Sequence, residues 1–111
     1  MSIKYLNARK GEFPGYSYKG AVANGKNGDS IVTPPLLAPQ KYPTLTVIPG
    51  TGTAKMQYTT SPDSEVEAGS AVWLDWEAGE KTANYSDVLV ASVNAVRCVS
   101  VSGAVEFEIA I

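Results

Sequence analysis

From Ala104 to the end of the chain, apolar and polar residues alternate. Val105, Phe107, Ile109 and Ile111 fall on one side, with Ala104, Glu106, Glu108 and Ala110 on the other. Side chains of a strand alternate faces, so this stretch predicts a strand with one buried and one wet face. Ahead of it, Val93 to Val101 is rich in β-branched residues, and Ser102-Gly103 stands where a two-residue hairpin turn takes a glycine. The expectation is a terminal hairpin whose apolar face must be covered by another sheet, because a two-stranded ribbon is not stable alone.

The same period of two recurs upstream. Thr44 to Ile48 reads as a short strand between Pro43 and Pro49, followed by a turn at Pro49-Gly50-Thr51-Gly52. Thr53 to Thr60 alternates, with Ala54, Met56, Tyr58 and Thr60 opposite Lys55, Gln57 and Thr59. Ser61 to Ser64 turns the chain, and Glu65-Val66-Glu67 reads as a short edge piece whose charges discourage pairing with another chain. In Ala71 to Glu77, Val72, Leu74 and Trp76 oppose Trp73, Asp75 and Glu77, so one tryptophan points each way. Trp76 is expected in the core and Trp73 against solvent, an arm or a partner. A further short strand is expected at Asp87 to Val90. Turn signals about every 8 to 12 residues, with nothing resembling a crossover helix, predict an all-β sandwich or barrel.

The N-terminal third differs. Residues 1–41 carry six cations against two acids, a balance of +4, and residues 42–111 carry three against nine, a balance of −6. The basic part also holds five of the ten glycines and four of the seven prolines. A basic, Gly/Pro-rich segment joined to an acidic, β-patterned one predicts an extended arm over 1–43 and a sandwich body over 44–111. Within the arm, Tyr16 to Ala23 and Ser30 to Thr33, flanking Asn24-Gly25 and Asn27-Gly28, are expected to form a loose hairpin. Pro34 to Pro43 is expected to run as an extended linker.

Candidate chemistry narrows the functional classes. The chain has no histidine, which removes Ser-His-Asp and Cys-His catalysis and histidine-based metal sites. Cys98, the single cysteine, sits in a β-branched run and reads as a small buried hydrophobe. Asp63, Glu65 and Glu67 lack the ligand pattern of a calcium loop, and Gly50-Thr-Gly52 lacks the Lys-Ser/Thr and helix of a phosphate loop. No enzyme, cofactor or metal is expected. Hydrophobic residues at 44% and charged residues at 18% indicate a folded chain, and no apolar run approaches the roughly 18–20 residues of a membrane span. The cations of the first forty residues are too dilute for a nucleic-acid site. Docking on an acidic protein surface fits better, with Lys4, Tyr5, Arg9, Lys10, Phe13, Tyr16, Tyr18 and Trp73 as the candidate partner-binding residues. Trp73 beside acids is also compatible with a sugar-stacking platform.

The run Thr46 to Ser61, together with Val72-Trp-Leu-Asp-Trp76, Ser86-Asp87 and Val96 to Ala104, resembles the small β-domains of phage structural proteins. With the basic N-terminal segment and the full length, the chain resembles the capsid decoration, or staple, proteins of epsilon-15-like short-tailed bacteriophages. That resemblance implies a jellyroll-like sandwich on the outer surface of the virion, made in the bacterial host cytoplasm. It implies an HK97-type major capsid protein as partner, a homodimer at capsid two-fold positions, and arms that clamp neighbouring subunits. A carbohydrate-binding module of a tail or fibre and a neck or tail connector remain as alternatives.

Overall fold

The computed structural model describes residues 3–8, 15–33, 42–91 and 93–111. Ten strands form two five-stranded sheets packed face to face, the arrangement expected of a β-sandwich. The first sheet runs in the order β1 (Ile3–Tyr5), β4 (Ser30–Val32), β9 (Ala95–Ser102), β6 (Thr53–Thr59) and β7 (Leu74–Asp75). The second runs β2 (Asn7–Ala8), β3 (Tyr16–Val22), β10 (Val105–Ala110), β5 (Thr44–Ile48) and β8 (Tyr85–Val88). A single short helix, α1 (Asp63–Ala68), lies between β6 and β7 among the described residues. β1 and β4 pair in parallel, and the other described pairs are antiparallel.

The alternation of β10 sets the core. Val105, Phe107 and Ile109 are buried, while Glu106 and Ala110 are exposed on the opposite face. Leu45 and Val47 stand beside Ile109 and Phe107 in β5. Across the interior lie Ala54 and Met56 of β6, Val96 and Cys98 of β9 and Ile31 of β4, all fully buried. Each large aliphatic or aromatic side chain taken from water contributes about 1.5–3 kcal/mol. Phe107 faces Gly20 in register, and a Cβ on that glycine would come within 2.8 Å of the phenyl ring. The ring therefore covers the glycine, and Tyr18 packs on it at 5.9 Å between centroids.

Both expected hairpins are instead links between the sheets. β9 lies in the first sheet and β10 in the second, so Ser102-Gly103 forms an arch across the sandwich. Gly103 has φ +77°, as a hairpin glycine would, but it packs against Gly52, where any Cβ would overlap the Ser102 carbonyl. β3 and β4 likewise belong to opposite sheets. The Asn24-Gly25 turn is clasped to β9: Gly25 N donates to Ser100 Oγ (3.2 Å), Ser100 N to Lys26 O (3.0 Å) and Gly28 N to Cys98 O (2.7 Å). Gly103 N donates to Asn24 Oδ1 at 2.8 Å, which ties the clasp to the arch.

The N-terminal segment is also not an arm over its described length. β3 pairs with β10 from Ser17 to Val22, and β4 pairs with β9, so both are built into the sheets. Leu6, between β1 and β2, is buried in the core as the chain passes from one sheet to the other. Charge drew the boundary at residue 43, but charge is a property of exposed positions such as Lys19 and does not decide strand pairing. The expected linker lies largely outside the described residues. Glu65-Val66-Glu67 is helical rather than extended: Pro62 occupies the N-cap position, Asp63 and Glu65 the first turn, and Gly69 closes α1 in the left-handed conformation.

Phe107→Ala is expected to lower unfolding free energy by about 3–5 kcal/mol in a urea titration. Gly52→Ala is expected to abolish the native near-UV circular dichroism, because backbone and not a flexible side chain blocks the added methyl.

Candidate interaction surface

β6, β7 and β9 bring four polar side chains onto the outer face of the first sheet. Gln57 stands between Arg97 and Asp75 in register. Arg97 Nε donates to Gln57 Oε1 at 2.7 Å, and Gln57 Nε2 donates to Asp75 Oδ1 at 2.8 Å. Lys55 Nζ lies 3.2 Å from Asp75 Oδ1 and completes the chain. The hydrogen bond from Gln57, then that from Lys55, holds the exposed Asp75 carboxyl below its ordinary range. At the other end, the Arg97 guanidinium lies 4.4 Å from the centroid of the Trp73 ring.

Trp73 itself is half-buried. It packs, with Ile3 and Ala71, against a small second core of Val32, Val66 and Ala95. This cluster lies on the outer side of the first sheet, where α1 contributes Val66. Trp73 therefore packs on its own protein, and a sugar could stack on the face taken by Arg97 only by displacing it. Trp76 is buried as expected and packs on Tyr85 at 5.8 Å, with Lys81 Nζ 4.0 Å from the Tyr85 centroid. Val72 and Leu74, in phase with Trp76, are 65% and 47% exposed. β7 is a two-residue edge strand, so the side chains before Trp76 overhang the sandwich instead of entering it.

The candidate residues separate between the two sheets. Tyr5, 60% exposed at the end of β1, stands opposite Val32 and so shares the outer face with Trp73. Lys4 is exposed beside it. Tyr16 and Tyr18 belong to the second sheet, where both are half-buried against the core. Arg9, Lys10 and Phe13 lie outside the described residues. The chain from Lys55 to Arg97 was not anticipated. Its one sequence signal is Arg97, a lone cation within a β-branched run.

Edges and hollows complete the surface. Lys4 and Asp87 occupy edge strands opposite Ile31 and Leu45, so each edge carries a charge at a core-facing position. The other two edge strands, β2 and β7, have two residues each. Such edges resist pairing with another sheet. A hollow of about 150 Å³ opens beside β7, lined by Tyr58, Asp75, Trp76, Glu77 and residues 89–91. Among the described residues, no group of three His, Cys, Asp or Glu side chains is placed to hold a metal ion. No described helix is long and apolar enough to cross a membrane. The arrangement offers contact surface and charge, and its thiol is withdrawn: burial pushes Cys98 up to about 12.

Comparison of the chain with known protein families, curated proteins and solved structures finds no match.

Replacing Arg97 with Met keeps the stem but removes the charge from Gln57 and Trp73. It is expected to destabilise the fold by about 1–3 kcal/mol and to shift tryptophan emission. Cys98 is expected to resist iodoacetamide at pH 8 in the native protein and to react in urea. Because folding raises this pKa, the thiol's contribution to stability is complete below its ordinary value near 9 and is lost as pH rises toward 12. A Cys98→Ala variant, compared with wild type in denaturant titrations across that range, should show the shallower alkaline decline.

Proposed function

We propose that this protein is a structural component of a phage virion that binds the outside of the capsid and staples neighbouring major capsid protein subunits. The reading joins the sequence resemblance to the β-sandwich fold. The observation that carries it is the state of the sheet edges. Among the described residues, all four edge strands are either two residues long or carry a charge at a core-facing position. A small β-protein crowded in many copies on one shell needs such edges, because bare ones would template pairing between neighbours. Contacts then fall to side-chain surfaces, for which the outer face bearing Tyr5 and Trp73, with Lys4 on the adjoining edge, is the first candidate.

In this proposal the partner is an HK97-type capsid protein, and the protein acts as a homodimer at two-fold positions. Each contact is weak, but simultaneous engagement of linked sites raises the overall binding strength. Arg9, Lys10 and Phe13 supply further contacts to a neighbouring subunit.

Co-sedimentation of the full chain with undecorated capsid shells tests this. Pelleting to a stoichiometry that saturates the lattice, and weakened by Lys4→Glu with Tyr5→Ala, is the expected result. Failure to pellet would reject decoration. Saturation at a single ring would point to a connector.

A further inference from the structure

The hollow beside β7 has a composition that the outer-face surface does not explain. Trp76, Leu89, Val90 and Tyr58 contribute apolar and aromatic atoms to its lining, but most of the surface it exposes is polar. Its carboxylates are Asp75 and Glu77. Val90 is 75% exposed, the highest value among the large hydrophobic residues of the described chain. Leu74, next to Asp75 on the same edge, overhangs the sandwich as described above. A single exposed aliphatic residue needs no explanation. Two of them beside one concave, carboxylate-bearing site mark a place where apolar contact and charge are offered together.

We propose that this hollow receives one arginine side chain projecting from a partner protein. Size is the first argument. About 150 Å³ is well below the roughly 300–1,000 Å³ of small-molecule sites, and it suits one side chain better than a helix or strand. Charge complementarity is the second. The residues lining the hollow include the carboxylates Asp75 and Glu77 and no basic side chain, although Lys55 pairs with Asp75 at 3.2 Å. Shape and chemistry supply the third. An arginine stem lies well on an exposed aliphatic side chain such as Val90, its planar head stacks on aromatic rings, and its fork matches carboxylates, where a lysine offers only a point charge. Asp75 is already fixed by Lys55 and Gln57, so one carboxylate is held in place before binding, while the exposed Glu77 closes on the entering head. Arginine seated in this way is a common anchor of protein interfaces.

The inference rests on the capsid reading only for the identity of the partner, and the test separates the two. In the first arm, n-butylguanidinium is titrated into the labelled full chain and backbone amide shifts are followed, with n-butylammonium and n-butanol as controls. Saturable shifts at Leu74, Glu77 and Val90, stronger for the guanidinium than for either control, are expected. Glu77→Gln should weaken the response while leaving the rest of the spectrum in place. Absence of localised shifts, or equal response to the alcohol, overturns the proposal. In the second arm, Glu77→Lys and Val90→Ser are compared with wild type for binding to undecorated shells. A loss of roughly tenfold or more for Glu77→Lys is expected, since it sets a cation against the entering one. Shells that bind both variants as well as wild type overturn the notch and leave the staple reading intact. Shells that bind none reject the capsid reading, and the guanidinium titration then decides the notch by itself.

Discussion

The last strand of the chain is hydrogen-bonded along both of its sides, to β3 near the beginning and to β5 near the middle. Its inner residues Val105, Phe107 and Ile109 supply the centre of the core. Everything else is arranged about that strand. β3 and β5 are not bonded to each other, so without β10 the second sheet separates into two pieces. The first sheet then loses the apolar surface that covers Met56, Val96 and Cys98. Strands that follow one another usually lie in opposite sheets, so neither sheet can form as an independent local unit. Pairings of this kind close long loops before they gain contacts, which makes folding slow relative to a helical domain of the same size.

What sequence could disclose follows from the same geometry. The β10 alternation was plain because one of its faces is covered and the other is wet. Trp76 was legible only in part, since its phase put it in the core while Val72 and Leu74, in the same phase, overhang the short edge and stay exposed. The arch at Ser102-Gly103 was not, because a glycine with positive φ serves an arch and a hairpin equally well. The choice between them is made by Gly52, distant in sequence, whose missing side chain lets the backbones approach. α1 was missed because six residues with one buried side chain, Val66, carry no period. The Pro62 and Gly69 that bracket it were its only signature. Charge imbalance suggested an arm, yet β3 keeps its basic Lys19 on the wet face and its Tyr18, Gly20 and Val22 on the covered one. Gly20 hid the pattern, because its apolar partner is supplied by Phe107 from another strand. The relay from Lys55 through Asp75 and Gln57 to Arg97 depends on strand order in the first sheet, which no local pattern encodes.

Two surfaces therefore emerge from one network. Arg97 is held between Trp73 and Gln57, and Gln57 shares Asp75 with Lys55, so the outer face and the hollow beside β7 meet at a single carboxylate. Groups fixed in advance lose less conformational freedom when a partner arrives. The exposed aliphatic residues on the overhang add apolar area that is still in contact with water. A partner that reached both surfaces would cover the overhang and meet side chains already oriented by the sheet.

The clasp between the Asn24-Gly25 turn and β9 has a chemical consequence besides its mechanical one. Asparagine followed by glycine is the step at which a protein chain most readily loses a side-chain amide, because the unhindered glycine nitrogen can attack the neighbouring carbonyl carbon and expel ammonia. Here that nitrogen is occupied at both such steps. Gly25 N–H is given to Ser100 Oγ, and Gly28 N–H to the Cys98 carbonyl inside a buried contact. Ring closure must wait until the turn lifts from the sheet. Conversion of Asn24 or Asn27 to aspartate or isoaspartate thus records how often this corner of the molecule opens, and the hydrogen bonds that join the two sheets also slow the ageing of the chain.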